Sequence, residues 1–139
     1  MKSIILFSSA PLGDFKVKEM SKISIGSADF VYVDLRLGLV HGLDGADLIC
    51  ISRFRGRRII ALIFRSLNLY SKSKYLRKVT QIQFKELTKN SEMQNLIMDA
   101  TALVSIHDAQ LPLVWELTKV ADKPAALRGL SSLHKLNGV

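Results

Sequence analysis

Short apolar runs alternate along this chain with longer stretches in which apolar residues recur every three or four positions, a pattern that predicts strands separated by helices. Ser3 to Ser9 is apolar and β-rich and runs into Ala10-Pro11-Leu12-Gly13, so a buried strand followed by a tight loop is expected. Asp14 stands where a helix N-cap belongs. Val17, Met20 and Ile23 then follow at helical spacing among Lys16, Lys18, Glu19 and Lys22, which predicts an amphipathic helix over Phe15 to Ile25. Phe30 to Leu35 and Asp47 to Ser52 are rich in β-branched and apolar residues and read as the second and third strands. Gly38, Gly42 and Gly45 punctuate the segment between them.

The period then lengthens. Ile59, Ile60, Leu62, Ile63, Leu67 and Tyr70 form a helical apolar stripe flanked by Arg57, Arg58 and Arg65. A second helical stretch covers Val79 to Met98, with a break expected near Asn90-Ser91. Ala102 to Ile106 is an apolar strand ending at His107-Asp108. Gln110 to Val120 reads as a helix with Leu111, Val114, Trp115 and Leu117 on one face and Pro112 tolerated in its first turn. Asp122-Lys123-Pro124 ends it, and Ala125 to Leu130 is a weaker strand. Strands alternating with helices of this length build βαβ units. One domain over residues 1–139 is therefore expected, a Rossmann-like three-layer α/β fold with a mainly parallel sheet and helices on both faces.

Composition narrows this picture. With 48% hydrophobic residues in 139, the chain can bury one core unaided. Cys50 is the only cysteine, which excludes an intrachain disulfide and a cysteine-built zinc site. It is expected as a small buried hydrophobe in its strand, in keeping with a reducing, cytoplasmic compartment. The apolar core at the N-terminus, Ile4 to Phe7, falls short of the roughly 7 to 15 residues of a signal peptide's hydrophobic region. Arg65 interrupts the best apolar stretch, Ile59 to Tyr70, well below the ~18 to 20 residues that span a bilayer. Asp14, Asp34, Asp44, Asp47 and Asp108 are too scattered to nominate a metal site, and no cofactor is expected.

Charge is concentrated. Between Asp47 and Glu86 no acidic residue occurs, while Arg53, Arg55, Arg57, Arg58, Arg65, Lys72, Lys74, Arg77 and Lys78 are all cationic. Interleaved with Ile59, Ile60, Ile63, Phe64 and Leu67, these charges resemble an interfacial helix, for which an anionic membrane surface is the natural partner. The same charge would attract nucleic acid without sequence preference, although no recognition helix or RNA-binding signature is present. A solvated basic face on a core helix is the third reading.

Three motifs carry a family resemblance. Gly13-Asp14-Phe15-Lys16-Val17-Lys18-Glu19 resembles the D-x-R-V-x-K-E opening of the acceptor-side domain of GT-B, retaining glycosyltransferases of the family-four type, with Lys16 in the usual Arg position. Ile106-His107-Asp108 resembles their H-x-H-D or H-x-H-E strand ending, with Ser105 at the first His. Leu133-His134-Lys135 resembles a later D-x-H-E-x segment, with Ser132 and Lys135 replacing acidic residues. Arg55-Gly56-Arg57-Arg58 is similar to a basic stretch of the same proteins.

The resemblance implies one half of a GT-B enzyme of polysaccharide biosynthesis, lacking the donor-binding domain and needing a second domain or subunit for activity. Gly13 and Asp14 would border the donor phosphates, because a loop entering a helix offers free N–H groups to an anion. His107 would be the catalytic residue beside the transferred sugar, and Asp108 and His134 would face the acceptor, which is a sugar or a lipid-linked sugar. The nucleotide-sugar donor would bind through the other half, and attack and departure on one face would retain anomeric configuration. Read alone, Gly13 serves a turn, Asp14 and Asp108 cap helices, and His107 is a strand-end polar residue. Two further functions fit the same residues: a non-catalytic membrane-surface adaptor at the cytoplasmic face, and a basic nucleic-acid-binding α/β protein.

Overall fold

Ser3–Ser8 (β1) is the central strand of a six-stranded sheet in the computed structural model, which describes residues 3–9, 29–42, 47–51, 53–122 and 124–129. The other strands are Asp29–Asp34 (β2), Leu39–Gly42 (β3), Asp47–Cys50 (β4), Ala100–Ser105 (β5) and Ala125–Arg128 (β6). Their order across the sheet is β4-β3-β2-β1-β5-β6. β1 runs parallel to both β2 and β5, and β6 runs parallel to β5, as the βαβ pattern predicts. β3 and β4 are antiparallel additions. The fold is thus mixed α/β with a mostly parallel sheet. The helix expected over Phe15 to Ile25 lies outside the described residues.

The described residues form four α-helices, in chain order Phe54–Ser66 (α1), Lys72–Lys89 (α2), Ser91–Asp99 (α3) and Leu111–Ala121 (α4). Side chains alternate across each strand, so Ile5, Phe7, Val33 and Leu103 point to one face. There they form one core with Leu87 of α2, Met93 and Ile97 of α3, and Leu113, Val114 and Leu117 of α4. Ile4, Leu6, Tyr32, Ala102 and Val104, on the opposite face, are buried as well. This two-sided burial explains why β1 reads as a continuous apolar run.

Helix boundaries follow local chemistry. Ser71 Oγ accepts the Lys74 N–H at 3.2 Å, which starts α2 seven residues before the expected Val79. Asn90 Oδ1 accepts the Met93 N–H at 3.0 Å and starts α3 at the expected break. α4 carries Pro112 in its first turn and ends at Asp122, whose φ is 62°. Its buried face is Leu113, Val114, Leu117 and Ala121, so Trp115, expected inside, is exposed instead. Cys50 is a second correction. β4 is an edge strand, its buried side is taken by Ile49, and Cys50 faces solvent.

The antiparallel hairpin was not legible, because β3 has only four residues and sits among glycines. It turns through Leu35 to Gly38, and the turn is organised by Asp34. One carboxylate oxygen accepts the backbone N–H of Arg36 at 2.9 Å, and the other lies 3.1 Å from the Arg36 guanidinium. Asp34 is buried, and both its oxygens are engaged in holding this turn.

Candidate functional site: a cleft at the carboxyl ends of β1 and β5

The chain leaving β1 returns to β2 on one side, whereas the chain leaving β5 continues to β6 on the other. The carboxyl ends of β1 and β5 are therefore a topological switch point, where open α/β sheets leave a crevice for ligands. The Ile106 N–H donates to the Phe7 carbonyl at 3.0 Å and keeps the two strand ends together. A cleft of about 880 Å³ opens just beyond them.

Ser9, one residue past β1, and Gln110, at the end of a short 3-10 turn after β5, bring polar groups to this cleft. α2 supplies one wall through Tyr75, Leu76, Val79 and Phe84, and Pro112 and Glu116 of α4 supply another. Arg58 of α1 and Arg77 of α2 add positive charge. The combination of apolar walls with a few convergent polar groups is that of a small-molecule site.

Gln110 is the chemically distinctive residue. It is buried, and its Nε2 donates to Ser9 Oγ at 2.7 Å, while Oε1 is buried with no partner among the described residues. Turning the amide over only exchanges the vacant acceptor for a vacant donor, so one end lacks a partner either way. A buried polar atom without a partner is costly, which makes it a natural contact for a ligand hydroxyl.

The sequence-expected residues are distributed unevenly around this cleft. Asp108 lines it, but its two oxygens accept from Nε and NH2 of Arg128, both at 2.7 Å. His107 is exposed and extended at the end of β5, beside Asp108 and outside the cleft lining. Gly13, Asp14 and His134 lie outside the described residues. Ser9, Gln110 and the α2 wall were missed as site residues, although Ser9 and Gln110 sit just past two strands that were legible.

The Arg128 guanidinium, by hydrogen bonding, holds the Asp108 carboxyl below the usual carboxylate range, against a smaller opposing effect of desolvation. A depressed folded value means that the clasp contributes above the unfolded carboxylate range, about pH 4, and is lost as pH falls through the lower folded value. Arg128→Ala is expected to return the Asp108 titration upward toward the usual range, read by carboxyl NMR. An unchanged titration would show that Arg128 does not set it.

The basic residues have several roles. Arg57 Nε stands 3.1 Å from the buried Glu86 carboxylate. Arg65 lies over the Tyr75 ring at 5.2 Å and Lys74 over Tyr70 at 4.9 Å. Arg53, Lys72 and Lys78 are exposed, and Arg55 is described in its backbone alone. Among the described residues no cluster of His, Cys, Asp or Glu could hold a metal ion. No described helix is long and apolar enough to cross a membrane. No family model matches the chain, and no curated protein or solved structure matches it significantly.

Proposed function

We propose that this domain binds the acceptor in a retaining sugar transfer whose nucleotide-sugar donor is held by a second domain or subunit. The motifs around Gly13 and His107 suggest the reaction class. The observation that carries the reading is the buried Gln110 amide, with one end unpartnered among the described residues, in a cleft at the carboxyl ends of β1 and β5.

Each group has a role in this reading. The vacant end of Gln110 takes a sugar hydroxyl, with Ser9 Oγ holding the amide plane in place. Tyr75, Leu76, Val79 and Phe84 offer an apolar surface for the acceptor's aglycone. In this reading His107, exposed just past β5, meets the transferred sugar from the donor side, where an imidazole can donate or accept a hydrogen bond. Asp108, clasped by Arg128, fixes the loop rather than contacting the acceptor.

Ligand-observed NMR with a panel of alkyl glycosides below their micelle concentrations tests this. At least one glycoside is expected to bind, and Gln110→Ala is expected to weaken it about tenfold while leaving the melting temperature within a few degrees. A panel that ignores the protein, or binds Gln110→Ala as well as the parent, would sink the reading.

A further inference from the structure

Helix α1 is built inside out. At 100° per residue, Phe54 and Ala61 share the buried side with half-buried Arg58 and Arg65, the side that packs along α2. The opposite side carries Ile59, Ile60 and Ile63, which are 45%, 54% and 50% exposed, and Leu67 follows at the C-cap at 63%. A surface helix ordinarily does the reverse, turning its apolar stripe to the core. The stripe continues over the tip of the α1–α2 hairpin, where Leu69 is exposed and Tyr70 packs against Phe64 with ring centroids 5.3 Å apart.

We infer that the outward face of α1 and the hairpin tip dock onto an anionic lipid bilayer, lying in its interface. Charge selects this occupant. Residues 48–85 contain ten Lys and Arg and no Asp or Glu; Arg53, Lys72, Lys74 and Lys78 are exposed on the same helical hairpin, with Lys74 over the Tyr70 ring at the end of the stripe. A second copy of this face would bring like charges together. Nucleic acid would neutralise the cations but leave the isoleucines in water. A bilayer with acidic headgroups takes both: the stripe enters the acyl boundary while the cations stay at the headgroups. At 13 residues α1 is about 20 Å long, too short to cross the hydrocarbon layer and suited to lying along it. The inference rests on the helix faces and holds whether or not the cleft takes a sugar.

Co-sedimentation with phosphatidylcholine vesicles, with and without about one-third phosphatidylglycerol, is the test. The whole chain is expected to pellet with the anionic vesicles and at least tenfold more weakly with the neutral ones. Ile63→Ser combined with Leu67→Ser removes two exposed apolar side chains and is expected to weaken binding at least tenfold with an unchanged melting curve. Lys72→Glu with Lys78→Glu is expected to weaken it more than tenfold, at roughly fivefold per cation before reversal is counted. The proposal is overturned if the parent chain fails to pellet with anionic vesicles, if the serine variant pellets equally well, or if duplex DNA is bound and vesicles are not. A dimer abolished by the serine variant, with vesicles ignored, would assign the face to a second copy instead.

Discussion

Phe54→Ala is expected to cost about 3–5 kcal/mol of unfolding free energy, read from the urea midpoint, the largest effect of any single truncation in α1. Phe54 is the first residue of α1 and is fully buried, and among the described side chains of α1 it alone joins the main core cluster. The helix has no other strong start signal: no side chain caps it and no acidic residue occupies its first turn. Its beginning is therefore held by burial, with the Phe54 N–H donating to the Ile51 carbonyl at 3.3 Å. Removing the ring leaves a cavity between the hairpin turn and the helix and loosens α1 from the sheet. Since α1 carries the proposed lipid-facing stripe, the same change should weaken vesicle binding without touching an outward residue. A loss below about 1 kcal/mol would show that α1 is anchored elsewhere.

Gly38→Ala is expected to cost about 2–4 kcal/mol, combining a left-handed backbone with a steric clash. Gly38 has φ +70°, and a Cβ there would meet Phe54 Cβ at 2.7 Å and the Ile51 carbonyl oxygen at 2.9 Å. The oxygen cannot retreat easily, because Ile51 is tied back by its N–H donating to the Gly38 carbonyl at 2.8 Å. The β2–β3 turn and the start of α1 are thus one packed unit, and Gly38→Ala and Phe54→Ala are expected to be non-additive in a double-mutant cycle. Additivity within experimental error, together with a melting temperature for Gly38→Ala near that of the parent, would contradict this coupling.

Legibility in the sequence tracked how much of an element's signal is local. β1, β2 and β5 are apolar runs buried on both faces, so their composition alone marks them. The break at Asn90 was legible because its cap is a side-chain hydrogen bond three residues away. β3 was not, since its four residues are strand only by pairing with β2 and β4. Cys50 and Trp115 were assigned to the wrong side for a shared reason: burial depends on which partner an element meets, and periodicity leaves the rotation of a short element undetermined. The α1 stripe was legible as a stripe, but its outward direction follows from Phe54 and Ala61 packing inward.

The site divides in the same way. A candidate ligand position at the strand ends after β1 and β5 was legible, because alternating elements imply a parallel sheet, and open parallel sheets hold ligands at their carboxyl ends. His107 and Asp108 were singled out by the resemblance of Ile106-His107-Asp108 to a glycosyltransferase strand ending, and their strand-end position suited that role. Their status was not legible: Arg128, twenty residues downstream of Asp108, clasps it only because β6 lies beside β5. Gln110 carries no motif, and its importance comes from burial without a full set of partners.

Amide chemical-shift mapping of the isotopically labelled chain during titration with an alkyl glycoside bears most directly on the central claim. The Gln110 side-chain amide is expected to move together with the backbone signals of Ser9, Ala109 and the α2 wall from Tyr75 to Phe84, while β3 and β4 stay still. Shifts confined to another surface, or none at glycoside concentrations well above the millimolar range expected for a half-built site, would contradict it.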